Sequence, residues 1–232
     1  MKALRIDQKK ELSEYLSNFV SDNKKNKINE IVLQRTRHLT VVLEDIFQSQ
    51  NASAILRTCY CFGIQDVHII ENRYLYELNP DVELGSAKWL SMNKYNTKEH
   101  NTLQAFEKLR NNGYKIIATT PHTNDMIIND LNVDEKIALV FGTEREGLSK
   151  IAMENADAFV KIPMYGFTES FNISVSAAMS VFYLSEKIRN SKISWQLTEE
   201  EIFEIKINWF SNVIRMSDKI INEYFARKGW TL

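Results

Sequence analysis

From residue 39 onward, short apolar runs alternate with segments of helical periodicity, and this alternation restricts the fold more than any other feature of the chain. Strands are predicted near 39–46, 66–71, 89–93, 114–120, 136–142 and 158–164, and helices near 51–62, 99–112, 149–156 and 171–190. Strands that alternate with helices favour a parallel sheet with helices on both faces. The sequence therefore predicts an α/β domain whose sheet has about six strands.

Helical segments flank this domain at both ends. Residues 8–22 repeat apolar side chains at helical spacing, and a second short helix ends near residue 38. Near the other end, Thr198 and Glu201 have the spacing of a capping box, which opens one long helix with an apolar stripe as far as Tyr224. We therefore expect three segments: a basic helical N-terminal extension (1–38), the α/β domain (39–190) and a helical C-terminal extension (191–232).

Composition excludes several classes of protein. The chain has 232 residues, 44% of them hydrophobic and 25% charged, as in ordinary globular domains. It shows no apolar run of membrane-spanning length and no signal-peptide core, so a cytoplasmic location is expected. Cys59 and Cys61 lie two apart on one predicted helix and lack partners for a metal site. No metal is expected, and surface or edge positions are expected for the four histidines: His38, His68, His100 and His122.

Charge is unevenly distributed, although the net charge is only −1. Residues 1–40 carry nine basic and five acidic side chains, and the remainder of the chain is acidic. Arg227 and Lys228 add a second basic group beside aromatic residues at the C-terminal end. Such asymmetry indicates a polyanionic partner. The alternative is a helical extension whose charges are simply solvated.

Polar residues cluster at three junctions between a predicted strand and the following helix. The junctions are Asn51-Ala-Ser-Ala-Ile-Leu-Arg57-Thr58, Leu139-Val-Phe-Gly-Thr-Glu-Arg-Glu-Gly-Leu-Ser149 and Ile162-Pro-Met-Tyr-Gly-Phe-Thr-Glu-Ser-Phe-Asn-Ile-Ser-Val-Ser-Ala-Ala178. Open α/β sheets bind ligands at the carboxyl ends of their strands, where helix N-termini offer unpaired N–H groups. An ordinary dinucleotide-binding fold is disfavoured because no G-x-G-x-x-G follows an early strand.

The three junctions resemble motifs 1, 2 and 3 of the SpoU/TrmH family of RNA ribose 2′-O-methyltransferases, and they occur in the family's order. The resemblance implies a SPOUT fold whose C-terminal part is tied in a trefoil knot. It also implies S-adenosylmethionine as the cofactor and a ribose 2′-hydroxyl of RNA as the acceptor. Members of the family are homodimers in which motif 1 of one subunit lies near the cofactor site of the other. Helix 171–190 and the C-terminal helix, with its stripe through Trp209, would form the dimer surface.

The resemblance also assigns site residues. It maps the family's essential arginine onto Arg57, and onto Asn51 the amide that accompanies it. Glu144 falls on the acid of motif 2, while Ser170 and Asn172 fall on the polar pair of motif 3. Cofactor contacts are implied around five further residues, mainly through backbone groups: Thr119, Gly142, Ile162, Met164 and Phe171.

The role of Arg57 stays open at this point. The family proposal makes the arginine a base, but a guanidinium hardly deprotonates in proteins, so we favour a cation that orients phosphate and stabilises the incipient alkoxide. A purely structural Arg57 would instead pair with Glu44 or Asp45.

Structural alternatives exist for the other polar residues of the motifs as well. Asn51 and Asn172 could each serve only as a helix cap. Glu144 could be a salt-bridge partner of Arg145 or of a nearby lysine.

The terminal extensions guide the choice of RNA. Short helical extensions at both ends are most similar to the group that methylates guanosine 18 in the D-loop of tRNA, so tRNA is the expected partner. Two alternatives remain: 2′-O-methylation of another tRNA or rRNA nucleotide, and a non-catalytic RNA-binding assembly factor that has kept the fold.

Overall fold

The structure is a computed structural model that describes residues 4–77, 79–121 and 126–230. Lys2, counted in the basic N-terminal segment, and His122 lie outside these ranges. The chain forms two compact units. One comprises Thr36–Trp195, and the other combines the residues up to Arg35 with those from Gln196 onward. The division into three segments at residues 38 and 190 stays a prediction.

A parallel sheet forms the centre of the larger unit, as predicted. Its strands are β1 (Leu39–Glu44), β2 (Asp66–Ile70), β3 (Ser91–Tyr95), β4 (Tyr114–Thr119), β5 (Met126–Ile127), β6 (Lys136–Phe141) and β7 (Ala158–Lys161). They pair in the order β3-β2-β1-β6-β4-β7-β5, always in parallel. The sequence predicted six of these strands. It missed β5 because two residues are too few to form a recognisable apolar run.

Helices cover both faces of the sheet because its central strands are apolar on both sides. The helices of this unit are α3 (Ser49–Cys61), α4 (Pro80–Glu83), α5 (Asn101–Asn111), α6 (Lys150–Glu154) and α7 (Ile173–Arg189). Val41 and Leu43 of β1 join the core beneath α3 and α7. Val42, between them, joins the core beneath α5 and α6. Alternate residues therefore serve opposite faces, which explains why the strand reads as a continuous apolar run.

The smaller unit is helical: α1 (Ile6–Ser17), α2 (Asp22–Val32), α8 (Glu199–Val213) and α9 (Ser217–Lys228). The predicted capping box is present, since Glu201 N–H donates to Thr198 Oγ1 (3.3 Å) and Thr198 N–H to Glu201 Oε2 (2.8 Å). The prediction of one long C-terminal helix is wrong. The chain is extended at Ile214, and Met216 is left-handed (φ 60°), so two helices replace one.

Part of the apolar stripe of α8 and α9, which was expected to form dimer surface, is buried within the smaller unit, whereas Met216 is 62% exposed. Trp209 is buried, with the guanidinium of Arg35 5.9 Å from its ring centroid. In α9, Tyr224 stacks on Tyr15 of α1 at 4.0 Å, and its hydroxyl donates to Glu11. The apolar period persists across the break because both helices pack within the same unit, so periodicity alone could not reveal the break.

Two histidines also depart from expectation. His38 and His68 are buried rather than at the surface, and each has a hydrogen-bond partner. No helix in the described part of the chain is long and apolar enough to cross a membrane. Among the described residues there is also no cluster of three or more His, Cys, Asp or Glu side chains that could hold a metal ion.

Candidate active site

A cleft of about 530 Å³ opens where β4, β6 and β7 end. Its size lies within the usual range for small-molecule sites, roughly 300–1,000 Å³. The predicted site residues that line it are Thr119, Gly142, Glu144, Ile162, Met164, Ser170, Phe171 and Asn172. The structure therefore brings together the five residues that were expected to contact the cofactor. The acid of the second junction and the polar pair of the third line the same cleft.

A tight loop after β6 directs Glu144 to this cleft. Thr143 N–H donates to the Gly147 carbonyl (2.8 Å), and Gly147 N–H donates back to the Thr143 carbonyl (3.1 Å). A Cβ on Gly142 would lie 2.2 Å from the backbone of Gly147, so only glycine fits at position 142. Gly147 has φ 72°, a conformation that also favours glycine. The two glycines of the second junction are thus explained by the loop's own geometry.

A buried carboxylate fixes the far side of this loop. Glu44, at the end of β1, accepts from Ser149 N–H (2.9 Å), Ser149 Oγ (2.8 Å) and Thr102 Oγ1 (2.6 Å). Ser149 also caps α6, and its Oγ accepts from Ala152 N–H at 3.1 Å. The sequence analysis did not assign this anchoring role to Glu44, because its two partners lie 58 and 105 residues away in the chain.

One hydrogen-bonded chain links the three junctions. Asn172 Nδ2 donates to Asn51 Oδ1 (3.3 Å), and Asn51 Nδ2 donates to Glu144 Oε1 (2.8 Å). Asn51 Nδ2 also contacts Gln48 Oε1 at 3.0 Å. Residues separated by 93 and 121 positions thus meet at the rim of the cleft. Their side chains hold the carboxylate in place with neutral donors, and among the described residues no cation forms an ion pair with it.

These contacts decide between the alternatives left by the sequence. Asn51 lies inside α3, whose N-cap is Gln48, so the cap interpretation of Asn51 is wrong. Asn172 does cap α7, accepting from Ser174 N–H (2.9 Å), and also reaches Asn51. Glu144 bonds Asn51, and within the described ranges it forms no ion pair with Arg145 or a lysine.

Arg57 is the one predicted polar residue that stands apart. It is exposed on α3 and is not among the residues that line the cleft. Pairing with Glu44 or Asp45 is wrong, because other donors occupy both carboxylates. Asp45 accepts from the N–H groups of Asn72 (2.7 Å) and Arg73 (2.9 Å). In the described part of the chain, the Arg57 guanidinium forms no hydrogen bond or ion pair.

Sequence reasoning missed several residues of the cleft wall. Ser176 and Ser180 follow Asn172 at four-residue intervals, so all three occupy one face at the start of α7. That spacing was a usable signal. Apolar side chains complete the wall, contributed by Ile128, Phe141 and Val160. An apolar wall with a few convergent polar groups suits a ligand that combines a flat apolar ring with charged ends.

Comparison with known proteins identifies the family and relatives of this chain. The sequence profile described as "SpoU rRNA Methylase family" matches residues 38–182. A tRNA (guanosine(18)-2′-O)-methyltransferase of Borreliella burgdorferi is 44% identical over 86% of this chain and 90% of its own length. The protein of that name from Thermus thermophilus is 31% identical over 70% of this chain and 81% of its own.

Solved structures share the fold. The crystal structure of the A. aeolicus TrmH/SpoU tRNA modifying enzyme superimposes with a TM-score of 0.74 at 27% identity, covering 84% of this chain and 98% of that one. The SpoU methyltransferase AviRb from Streptomyces viridochromogenes, solved in complex with AdoMet, has a TM-score of 0.56 at 19% identity. It covers 70% of this chain and 62% of its own, and this likeness concerns the fold alone.

Proposed function

Because the chain belongs to the SpoU rRNA Methylase family, we propose that it transfers the methyl group of S-adenosylmethionine to the 2′-hydroxyl of guanosine 18 in tRNA. The observation that carries the proposal is the hydrogen-bonded chain that joins Asn51, Glu144 and Asn172 at the rim of the cleft. The names of the Borreliella and Thermus relatives support tRNA as the substrate and guanosine 18 as the target. With tRNA as the substrate, we propose a cytoplasmic location.

The cleft fits the cofactor. S-adenosylmethionine supplies an electrophilic methyl group on a sulfonium centre. Thr119, Gly142 and Ile162 line the cleft, and Val160 and Phe141 make part of its wall apolar. Such a wall excludes water from the reacting groups and strengthens electrostatic interactions among them. Ser170, Phe171 and Met164 close the side formed by the third junction.

Glu144 and Asn51 prepare the acceptor. A ribose hydroxyl is a weak nucleophile, so its proton needs an acceptor and its oxygen needs a fixed position. The Glu144 carboxylate lines the cleft, and Asn51 holds it through one oxygen at 2.8 Å. The other oxygen is left to accept the proton of the ribose hydroxyl, while Asn172 Nδ2 donates to Asn51 Oδ1 at 3.3 Å and keeps Asn51 oriented.

Arg57 acts across a homodimer. Its side chain is exposed and lies outside the cleft of its own chain, which suits a residue that serves the cleft of a second copy. There its planar guanidinium orients the RNA phosphate and stabilises the charge that develops on the 2′-oxygen. Three half-exposed apolar side chains on and beside α7, Phe171, Val175 and Phe182, supply surface for the two-fold contact. Sedimentation of the purified protein as a monomer at micromolar concentration, with full activity, would contradict this arrangement.

The larger unit contains the trefoil knot of the SPOUT fold. This is supported by the extensive likeness to the A. aeolicus TrmH/SpoU enzyme, at a TM-score of 0.74. The helical unit then supplies a binding surface for tRNA. Lys10, Lys24 and Lys27 are exposed on α1 and α2, so RNA affinity should fall steeply with salt.

Digestion of tRNA modified by the purified protein tests the proposal. Incubation with S-adenosylmethionine and unmodified tRNA should yield one 2′-O-methylated nucleotide, located at guanosine 18 in the digest. A methyl group at another tRNA position, or only on rRNA, would favour the alternative substrates. The family description names rRNA, which is the observation that keeps that alternative in view.

A non-catalytic assembly factor is the alternative of a different class. Calorimetry with S-adenosylmethionine distinguishes it, because an abandoned site has no reason to retain the cofactor. Binding of the cofactor together with methyl transfer supports the enzyme. Absence of both, with RNA binding retained, would support the assembly factor.

A further inference from the structure

Two aromatic side chains are exposed at the carboxyl edge of the sheet, outside the cleft. Phe47 follows β1, and Tyr74 lies in the segment after β2. Their ring centroids are 5.0 Å apart and their planes meet at 67°, so one ring edge faces the other ring. Phe47 is 66% exposed and Tyr74 38% exposed. We propose that this pair, the Phe47–Tyr74 platform, stacks an unpaired base of the RNA substrate next to the nucleotide that is methylated.

The platform stands on a rigid backbone. Asp45, two residues before Phe47, accepts from the N–H groups of Asn72 (2.7 Å) and Arg73 (2.9 Å), directly before Tyr74. Asp45 N–H donates to the Ile70 carbonyl at 2.9 Å. On the other side of Tyr74, the N–H of Tyr76 donates to Glu71 Oε1 at 2.7 Å. The backbone beside both rings is therefore fixed before a ligand arrives, which lowers the entropic cost of binding.

The platform is continuous with the rim of the cleft. The Arg73 guanidinium donates to Glu146 Oε2 at 2.6 Å, in the same tight loop that carries Glu144. Phe47 lies four residues before Asn51, which holds Glu144. A base on the platform would thus belong to a nucleotide close to the one in the cleft, with the cation of Arg73 beside its phosphate.

An unpaired base is the occupant that these features fit. A flat ring with an exposed face offers sequence-tolerant stacking, and aromatic residues bind single-stranded RNA in this way. Bases inside an A-form helix are already stacked and cannot be reached. The inference rests on the proposed function only in taking RNA as the substrate. It adds a binding site on residues outside the three junction motifs.

Leucine substitutions test the stacking directly, because they keep an apolar side chain and remove the ring. Phe47→Leu and Tyr74→Leu should each weaken tRNA binding and raise KM for tRNA about tenfold, within the range for one stacked base. The value of kcat at saturating tRNA and the affinity for S-adenosylmethionine should stay near wild type. Phe47→Tyr and Tyr74→Phe each keep an aromatic ring, so their KM for tRNA should stay near the wild-type value.

Leu75→Ala is the matched control, since Leu75 is 77% exposed and adjoins Tyr74 but carries no ring. Its KM for tRNA should not change. Equal tRNA affinity in wild type and both leucine variants would overturn the inference. A leucine variant that sediments as a monomer while wild type sediments as a dimer would also overturn it, because the pair would then belong to the contact between copies. Direct tRNA binding is measured without cofactor and does not depend on methyl transfer. If wild type binds tRNA without methylating it, the proposed function is refuted, and the binding of the leucine variants still tests the platform.

Discussion

Arg57 extends from α3 into solvent, and its guanidinium has no partner within the residues that the structure describes. Replacing Arg57 should therefore lower the stability of the fold very little. We expect Arg57→Ala to keep its melting temperature and its affinity for S-adenosylmethionine. Turnover with tRNA should fall on the order of a hundredfold or more, the scale for losing one preorganised charge-stabilising donor. Single-turnover methyl transfer, calorimetry and thermal unfolding check the three expectations.

Two further variants sharpen this prediction. Arg57→Lys should also be poor, because an ammonium cannot engage phosphate and ribose oxygen with a planar fork. Lys192→Ala, at an exposed lysine of the larger unit, serves as the control for loss of one surface charge. Methyl transfer by Arg57→Ala at near wild-type rate would show that Arg57 is not part of the active site.

His68 should make stability depend on pH. Burial lowers its pKa from 6.5 to about 4, and Lys108 adds to this effect. Its Nδ1 lies 2.8 Å from the hydroxyl of Tyr95, whose own pKa burial raises to about 12, so the pair is neutral near pH 7.

The unfolded chain binds a proton at His68 below pH 6.5, whereas the folded chain does so only near pH 4. The stabilising contribution is therefore complete above pH 6.5 and is lost as the pH falls towards 4, up to about 3 kcal/mol. Urea unfolding across this window should show a smaller loss for His68→Gln than for wild type. His100→Gln, at an exposed position, should follow wild type. Parallel curves for wild type and His68→Gln would refute the assignment.

At the scale of single elements, the tight loop after β6 leaves no room for a side chain at position 142. The Cβ in Gly142→Ala would lie 2.2 Å from the Gly147 backbone, so the loop must open and move Glu144. We expect Gly142→Ala to lose cofactor binding and methyl transfer, as measured by calorimetry and by tRNA labelling.

The matched control is Gly113→Ala, after α5. Gly113 has φ 82° with nothing near its Cβ, so this variant should lose about 1 kcal/mol of stability and still bind the cofactor. Unchanged cofactor binding in Gly142→Ala would show that the loop does not shape the cleft.

Elements differ in how far the sequence could predict them. The runs that form β1 and β6 were recognisable because both faces of each strand are buried. The break at Ile214 was not, because the apolar period continues on either side of it. The residue types of the site were recognisable from the three junctions. The contact between Asn51 and Glu144 was not, since it depends on strand order and spans 93 residues.

At the scale of the whole molecule, the terminal segments depend on each other for folding. Lys9 of α1 is buried, and its ammonium contacts Glu200 (2.5 Å) and Glu204 (2.6 Å) of α8. Removing the buried cation leaves two carboxylates together. Because both are partly exposed, they regain some water, and Lys9→Ala should cost about 2 kcal/mol, below the value for a fully buried pair.

Lys10→Ala is the matched control for Lys9, because Lys10 is exposed and adjacent in sequence. Chemical unfolding should give it nearly wild-type stability. A Lys9→Ala variant as stable as Lys10→Ala would mean that the ion pairs do not tie the two ends together.

The central claim is that one atom, the 2′-oxygen of guanosine 18, accepts the methyl group. Two synthetic tRNAs that differ only at this atom test it: one carries guanosine at position 18 and the other 2′-deoxyguanosine. With labelled S-adenosylmethionine and wild-type protein, we expect the first to approach one methyl group per tRNA and the second to take up none. Equal labelling of the two tRNAs would contradict the account.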